Sequence, residues 1–406
     1  MTLWRSLSPS QLFVGSFLAL VGLGTVGFKV LPGLYTGPEL SWLDALFTAT
    51  SAVCVTGLIV VDTAEFFTTW GQAYVLLLIQ LGGLGIISFT SLIIVALGRR
   101  LSLRTETLAA GGAELTAEVD NQALLRSVFA FTFTVEAIGA AALYACWVPR
   151  FGWTGAVWPS VFHAVSAFCN AGFSTFSTSL MGFQTNAPLL VVVMVLVVLG
   201  GIGFLTLEEL SIWGRSRRER SDGPGRRFRL STHSQLVLIT TAFLIAVGAV
   251  AFTVIEWSHA LGSLSVGDRL VNGLFASITP RTAGFNTIDY GSAHPSTNFL
   301  TLLFMTIGGS PGSTAGGLKT TTFALLGLVA LSRLRGFSTT NVFGRTIPES
   351  TVNRAIGLFV LATGLMTAGV LVFTATELPG PFAAGPPHDG FLPHLFEAVS
   401  AFNTVG

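Results

Sequence analysis

Apolar residues run along this chain in blocks. Seven blocks are long, at roughly 11–31, 70–97, 124–148, 188–213, 235–257, 298–331 and 351–376. A helix needs about 20 mostly apolar residues to cross a bilayer, so each block predicts a membrane span. Shorter apolar stretches lie between them, at roughly 41–54, 157–169, 268–279 and 389–402, and are interrupted by Thr, Ser and Asn. These are too short to span. Such backbone survives at membrane depth only when it is buried in protein or lines water. Re-entrant segments are therefore expected, in a repeating order of long, short, long.

The short segments can be laid over one another. Residues 46–57 read LFTATSAVCVTG, 161–172 read VFHAVSAFCNAG and 395–406 read LFEAVSAFNTVG, while 274–284 read LFASITPRTAG, one residue shorter. Each ends in glycine, at Gly57, Gly172, Gly284 and Gly406, with separations of 115, 112 and 122 residues. A period this long implies whole structural units and not a solenoid. The expected units are 1–100, 101–215, 216–335 with a second long helix broken over 308–317, and 336–406, incomplete after its short segment.

Composition and charge sharpen the picture. Of the 406 residues, 51% are hydrophobic and 10% charged, against about 25% charged in soluble domains. That excludes a soluble enzyme, a disordered chain and a nucleic-acid binder. Cys54, Cys146 and Cys169 are odd in number and lack metal-ligand spacing, so no disulfide framework or zinc site is implied. Fifteen of the 21 Lys and Arg fall in the stretches 99–126, 215–229 and 333–354, and Arg5 precedes the first span. Only Lys29, Arg150 and Arg269 fall on the opposite side. Positive charge favours the cytoplasmic face, which puts the N-terminus and the inter-unit loops there. The first apolar run lacks a small-residue cleavage site and is expected to be a retained span.

Each short segment predicts a half-helix followed by an extended, glycine-containing strand. The negative end of a helix dipole favours a cation. Glycine permits backbone angles that other residues resist, and carbonyls exposed in a row can replace an ion's water shell. Four strands around one axis would make carbonyl rings for potassium: Val55, Thr56 and Gly57; Asn170, Ala171 and Gly172; Thr282, Ala283 and Gly284; Thr404, Val405 and Gly406. The fold class expected is an all-α polytopic membrane protein with four parallel helix–pore-loop–helix repeats around a pseudo-fourfold pore.

The segments SAVCVTGL, SAFCNAGFST, PRTAGFNT and EAVSAFNTVG, with GGSPGSTAGGLKTTT at 308–322, resemble the Trk/Ktr/HKT superfamily of potassium-uptake proteins, most closely its KtrB-type membrane subunit. The resemblance covers essentially the whole chain. It implies potassium translocation in the inner cell membrane, with sodium as a second candidate ion and no organic cofactor. The partners it implies are a second copy in a homodimer, a cytosolic nucleotide-binding regulatory ring of the KtrA/TrkA kind and membrane lipid, but no nucleic acid. Glycine in all four strands resembles the potassium-selective branch, and the extra N-terminal helix pair of TrkH-type relatives is not seen. The family's last long helix, with a pore-facing Arg, is missing after Gly406, so a partial sequence is expected.

The stretch Gly308, Gly309, Ser310, Pro311, Gly312, Ser313, Thr314, Ala315, Gly316 and Gly317 is too long and polar for a simple kink. It resembles the family's unwound intramembrane gate, with Lys319 either a gate element or a pore-facing charge tied to carbonyls. Arg281 is expected to brace the filter rather than touch ions. Asp62, Glu65 and Asp289 could concentrate cations at the outer mouth or be solvated loop charges. His163 and Glu397 are expected to pack and hydrogen-bond, and the Arg run at 215–229 can orient the chain or dock a partner. A sodium-permeable relative predicts Ser in the first strand. An ion-coupled secondary transporter predicts inverted repeats and midplane carboxylates, of which Glu136 alone qualifies. No catalytic constellation is seen.

Overall fold

The computed structural model describes residues 9–106, 121–218, 230–376 and 391–406. The basic residues Arg5, Arg220, Arg226, Arg227 and Arg229 lie outside them. The described chain is a bundle of helices, with a single small hairpin (β1, Asn341–Val342; β2, Arg345–Thr346) among the described residues. Gly344, at φ 77°, makes its turn.

The first unit consists of α1 (Pro9–Val30), the short helix α2 (Trp42–Val53), one turn α3 (Thr63–Phe66) and the long α4 (Thr69–Glu106). The second has α5 (Asn121–Gly155), the short α6 (Val157–Phe168), α7 (Ala187–Ile202) and α8 (Phe204–Arg218). The third has α9 (Thr232–Glu256), the short α10 (Val266–Ile278), α11 (Pro295–Thr306) and α12 (Thr320–Leu334). The fourth has α13 (Glu349–Thr376) and the short α14 (Phe391–Asn403). Five of the long helices are apolar enough over 20 or more residues to span a membrane. In every unit the first long helix packs on the unit's own short helix, as α1 on α2, α5 on α6, α9 on α10 and α13 on α14.

Local chemistry starts the short helices. Ser41 accepts from Asp44 N at 3.1 Å and Ser265 from Asp268 N at 3.2 Å, which are N-caps with an acid in the first turn where the dipole favours it. The first three units bury a shared apolar cluster that includes Phe28, Trp147, Phe162, Phe168 and Phe285, while Val399 and Val405 of the fourth pack with Leu302 and Met305 of the third.

The second long helix changes from unit to unit. In the first, α4 runs unbroken through Gly82-Gly83. In the second, a continuous span over 188–213 is expected, but the helix breaks at Gly203 and α7 and α8 are bent by 102°. Gly203 adopts φ 92°, and a Cβ there would stand 2.5 Å from Pro311 O. A backbone in that region resists any other residue, and the first amide of α8, Phe204 N, donates to Gly312 O at 3.0 Å instead of continuing α7. In the third, residues 307–319 leave the helix altogether.

Candidate functional site

The four short helices deliver their following strands to one place. A Cβ added at Gly172 would lie 3.0 Å from Ala283 O and 3.1 Å from Gly284 Cα. One at Gly57 would lie 2.5 Å from Ala171 O and 3.1 Å from Gly406 Cα. One at Gly406 would meet Thr56 O at 3.0 Å and Gly57 Cα at 3.2 Å, and one at Gly284 would run into Val405 O. The relation is cyclic: each glycine faces the carbonyl of the residue before the next unit's glycine. The strands therefore follow one another in chain order around a common axis, and the fourth strand takes its place with the other three.

Backbone handedness repeats as well. Val55 and Gly57 have φ of 57° and 86°, Asn170 and Gly172 58° and 71°, Thr282 and Gly284 70° and 75°, and Thr404 and Gly406 54° and 99°. The residue between each pair is not left-handed. Alternating handedness swings successive peptide planes so that their carbonyls face one side, where an ordinary strand would alternate them. Val, Asn and Thr pay for this, since a left-handed non-glycine residue costs about 1–3 kcal/mol. Ala171, Thr282 and Ala283 are fully buried, and Val55, Asn170 and Val405 nearly so.

Outside the ring opens a cavity of about 340 Å³ lined by Gly57, Gly172, Gly284 and Gly406 together with Asp62 and Glu397. Asp62 also caps α3 by accepting from Ala64 N at 2.7 Å. Glu397 faces this cavity and is exposed, whereas its overlay partner His163 is fully buried between Pro159 O at 2.8 Å and Ser174 Oγ at 2.9 Å. The fourth unit thus turns an acid outward where the second turns a ring inward. Asp289 holds Gly291 N at 2.9 Å in its own loop.

On the opposite side of the ring lies the stretch 308–317. It is tied at its base, where Gly308 N donates to Leu318 O at 2.9 Å and Thr320 N to Gly309 O at 3.0 Å. It is tied to the broken second unit through Ser310 N to Gly201 O at 2.8 Å and Phe204 N to Gly312 O at 3.0 Å. It also reaches two strands of the ring. Asn170 Nδ2 donates to Thr314 Oγ1 at 2.8 Å, and a Cβ at Gly316 would run into Thr404 Oγ1 and stand 2.8 Å from Asn403 O. Ser310, Ser313, Thr314 and Ala315 are buried. Gly312 and Gly317, at φ 78° and 62°, make the turns.

Two cations sit at this level. Lys319 Nζ donates to Ala315 O at 2.5 Å, tied to a carbonyl of the loop. Arg281, beside the third strand, directs Nη2 to Gly308 O at 3.4 Å, while its Nε has no partner among the described residues. Arg281 thus touches the loop. Glu136 lies apart from the axis, accepting from Gln80 Nε2 at 3.1 Å beside Cys169.

Gly200 and Gly203 are site residues that the overlay of short segments passes over. A Cβ at Gly200 would collide with Phe168 O, as one at Gly82 would with Val53 O in the first unit. A second repeat carries this signal: LGGLG at 81–85, LGGIG at 199–203 and IGGSPG at 307–312.

The family model described as "TrkH: Cation transport protein" matches residues 19–406. The chain belongs to the TrkH family. It is 37% identical to the Ktr system potassium uptake protein B of Bacillus subtilis and 36% identical to the potassium/sodium uptake protein NtpJ of Enterococcus hirae, each over 99% of this chain and 86% of the relative. The crystal structure of the potassium transporter TrkH from Vibrio parahaemolyticus superposes with a TM-score of 0.72 at 19% identity, covering all of this chain and 84% of that one. That likeness gives the TrkH family its fold here. A multi-pass membrane cation transporter with four related units around one axis follows.

Proposed function

We propose that the chain is a potassium-uptake subunit, a transporter with no enzymatic role. Val55–Gly57, Asn170–Gly172, Thr282–Gly284 and Thr404–Gly406 are its selectivity filter, contributed by the units 1–100, 101–215, 216–335 and 336–406. The observation that carries this reading is the cyclic contact of each glycine with the next unit's carbonyl, combined with the alternating handedness of all four strands. Carbonyl rings of this kind stand in for the water around a desolvated cation. The acids Asp62 and Glu397 at the outer cavity raise the local concentration of cations. Residues 308–317 are the gate beneath the filter, with Lys319 pinned to it and Arg281 bracing gate against filter.

Ions enter from the outside. The N-terminus and the arginine-rich loops lie on the cytosolic face of the inner membrane, where a nucleotide-binding regulatory ring engages a homodimer of these subunits. Sodium is the second ion to test, because a relative of 36% identity is named as a potassium/sodium uptake protein. The test is flux in proteoliposomes of the full-length protein under opposed potassium and sodium gradients. Wild type should favour potassium and Gly57→Ser should admit sodium, because a side chain there displaces one quarter of a carbonyl ring. An unaltered preference in Gly57→Ser would remove the filter from 55–57.

A further inference from the structure

One hydroxyl in each unit is placed to fix where the row of carbonyls ends. Ser51, Ser166, Thr279 and Ser400 stand where the short helices give way to the strands, and all four are buried. Each uses its backbone carbonyl to accept the amide of the residue before the glycine: Thr56 at 2.8 Å, Ala171 at 2.7 Å, Ala283 at 2.9 Å and Val405 at 3.0 Å. In three units the hydroxyl then donates to the carbonyl of the residue after the glycine. Ser51 Oγ reaches Leu58 O at 2.7 Å, Ser166 Oγ reaches Phe173 O at 2.7 Å, and Thr279 Oγ1 bonds Phe285 O. In the fourth, Ser400 Oγ accepts from Gly406 N at 3.1 Å.

The third unit shows that the bond is kept even where the spacing to the glycine shortens. Overlaying the motifs on their leading apolar–Phe pair puts Thr279 in register with Ser51, Ser166 and Ser400, while the nearby Ser277 Oγ turns to Ile245 O at 2.9 Å. The segment is one residue shorter there, and Thr279 supplies the hydroxyl at the same place in space. A different residue type, at a different spacing, makes the same bond.

The two anchors enclose a defined piece of backbone. One holds the amide of the residue before the glycine, and the other holds the carbonyl of the residue after it. Between them hang the two peptide groups whose oxygens, in the first unit, are Thr56 O and Gly57 O. Thr56 O is a member of the ring already described. The second anchor also draws the following carbonyl back toward the short helix and away from the axis.

We infer that Ser51, Ser166, Thr279 and Ser400 are specificity-determining positioning residues, whose hydroxyls fix the tilt of the ion-facing carbonyls and terminate the filter on its outer side. This rests on the filter reading above. Without the hydroxyl, a buried carbonyl loses its partner, and its peptide can rotate to find another. The neighbouring ring then loosens, and a loose ring tolerates a smaller ion.

The test compares the potassium-to-sodium flux ratio of the full-length protein in proteoliposomes for wild type, Thr279→Val, Thr279→Ser, Ser51→Ala and Gly57→Ser. Thr279→Val removes the hydroxyl at nearly constant shape and should lower the ratio about tenfold, the equivalent of about 1.4 kcal/mol. Thr279→Ser keeps the hydroxyl and should rescue it. Ser51→Ala tests a second unit and decides the matter if Thr279→Val does not insert as a folded protein. A residue that merely stabilised the fold would change the amount of active protein but not the ratio. If the hydroxyl-less variants keep the wild-type ratio while Gly57→Ser loses it, the positioning role is refuted and the filter stands. If Gly57→Ser also keeps it, the filter reading fails first.

Discussion

Replacing Gly57 with alanine separates two effects that the ring imposes on one residue. Gly57 sits at φ 86°, where a Cβ costs about 1–2 kcal/mol whatever surrounds it. The new methyl would also stand 2.5 Å from Ala171 O, against a comfortable separation of about 3.5 Å. The second unit's carbonyl must therefore retreat by about 1 Å, out of an ion's reach. The first effect lowers stability in any salt, and the second acts only on ion binding. Potassium at 100 times its Kd stabilises the wild type by about 2.7 kcal/mol, and a site weakened thirtyfold retains about 0.9 kcal/mol at the same concentration. Thermal unfolding of purified protein in potassium and in choline chloride reads this increment directly. Gly336→Ala is the control, because Gly336 has φ 77° and nothing within 4 Å of an added Cβ. It should lower the melting temperature in both salts and leave the potassium increment whole. Gly172→Ala, with its nearest carbonyl at 3.0 Å, should fall between the two. An increment in Gly57→Ala as large as in Gly336→Ala would refute an ion site at these glycines.

Three further outcomes follow from the stretch beneath the ring. Deleting Ser310 to Gly316 should raise potassium flux in the absence of any cytosolic partner, and unchanged or lost flux in a folded, inserted deletion would count against gating. Thr314→Val leaves Asn170 Nδ2 without the acceptor it reaches at 2.8 Å. It should destabilise the protein by about 1–3 kcal/mol, and a melting temperature equal to wild type would show that the bond is dispensable. Gly203→Ala combines a left-handed backbone with a 2.5 Å approach to Pro311 O. Its yield of monodisperse protein should drop well below that of Gly214→Ala, which meets nothing, and equal yields would contradict the tight bend.

The units and the meeting of their strands were legible because hydropathy and glycine report directly on burial and close approach. Spans over 11–31, 70–97 and 235–257 need only apolar length, and Gly57, Gly172, Gly284 and Gly406 mark backbone that no side chain could share. The break at Gly203 was hidden inside a run as apolar as any span. Its cause lies more than a hundred residues away, in the carbonyls of Pro311 and Gly312, and a hydropathy window cannot register a distant acceptor. The strain at Val55, Thr282 and Thr404 was equally invisible, since β-branched residues avoid positive φ when left to themselves. Arg281 and Lys319 stood out as charges among apolar residues, but their bonds to Gly308 O and Ala315 O depend on a loop path that composition does not encode.

A ring assembled from one chain also differs from a ring of four identical subunits in how it can change over generations. In a symmetric tetramer each codon is read out four times around the axis, so the smallest available step alters every side at once. Here each side has its own codons. The third strand can drop a residue and carry Pro280 and Arg281 while its three neighbours keep their own spacing. If the ring is the proposed filter, mutation adjusts ion preference in quarter steps, and each unit can acquire an attachment, such as Asn170 to Thr314, that the others never copy.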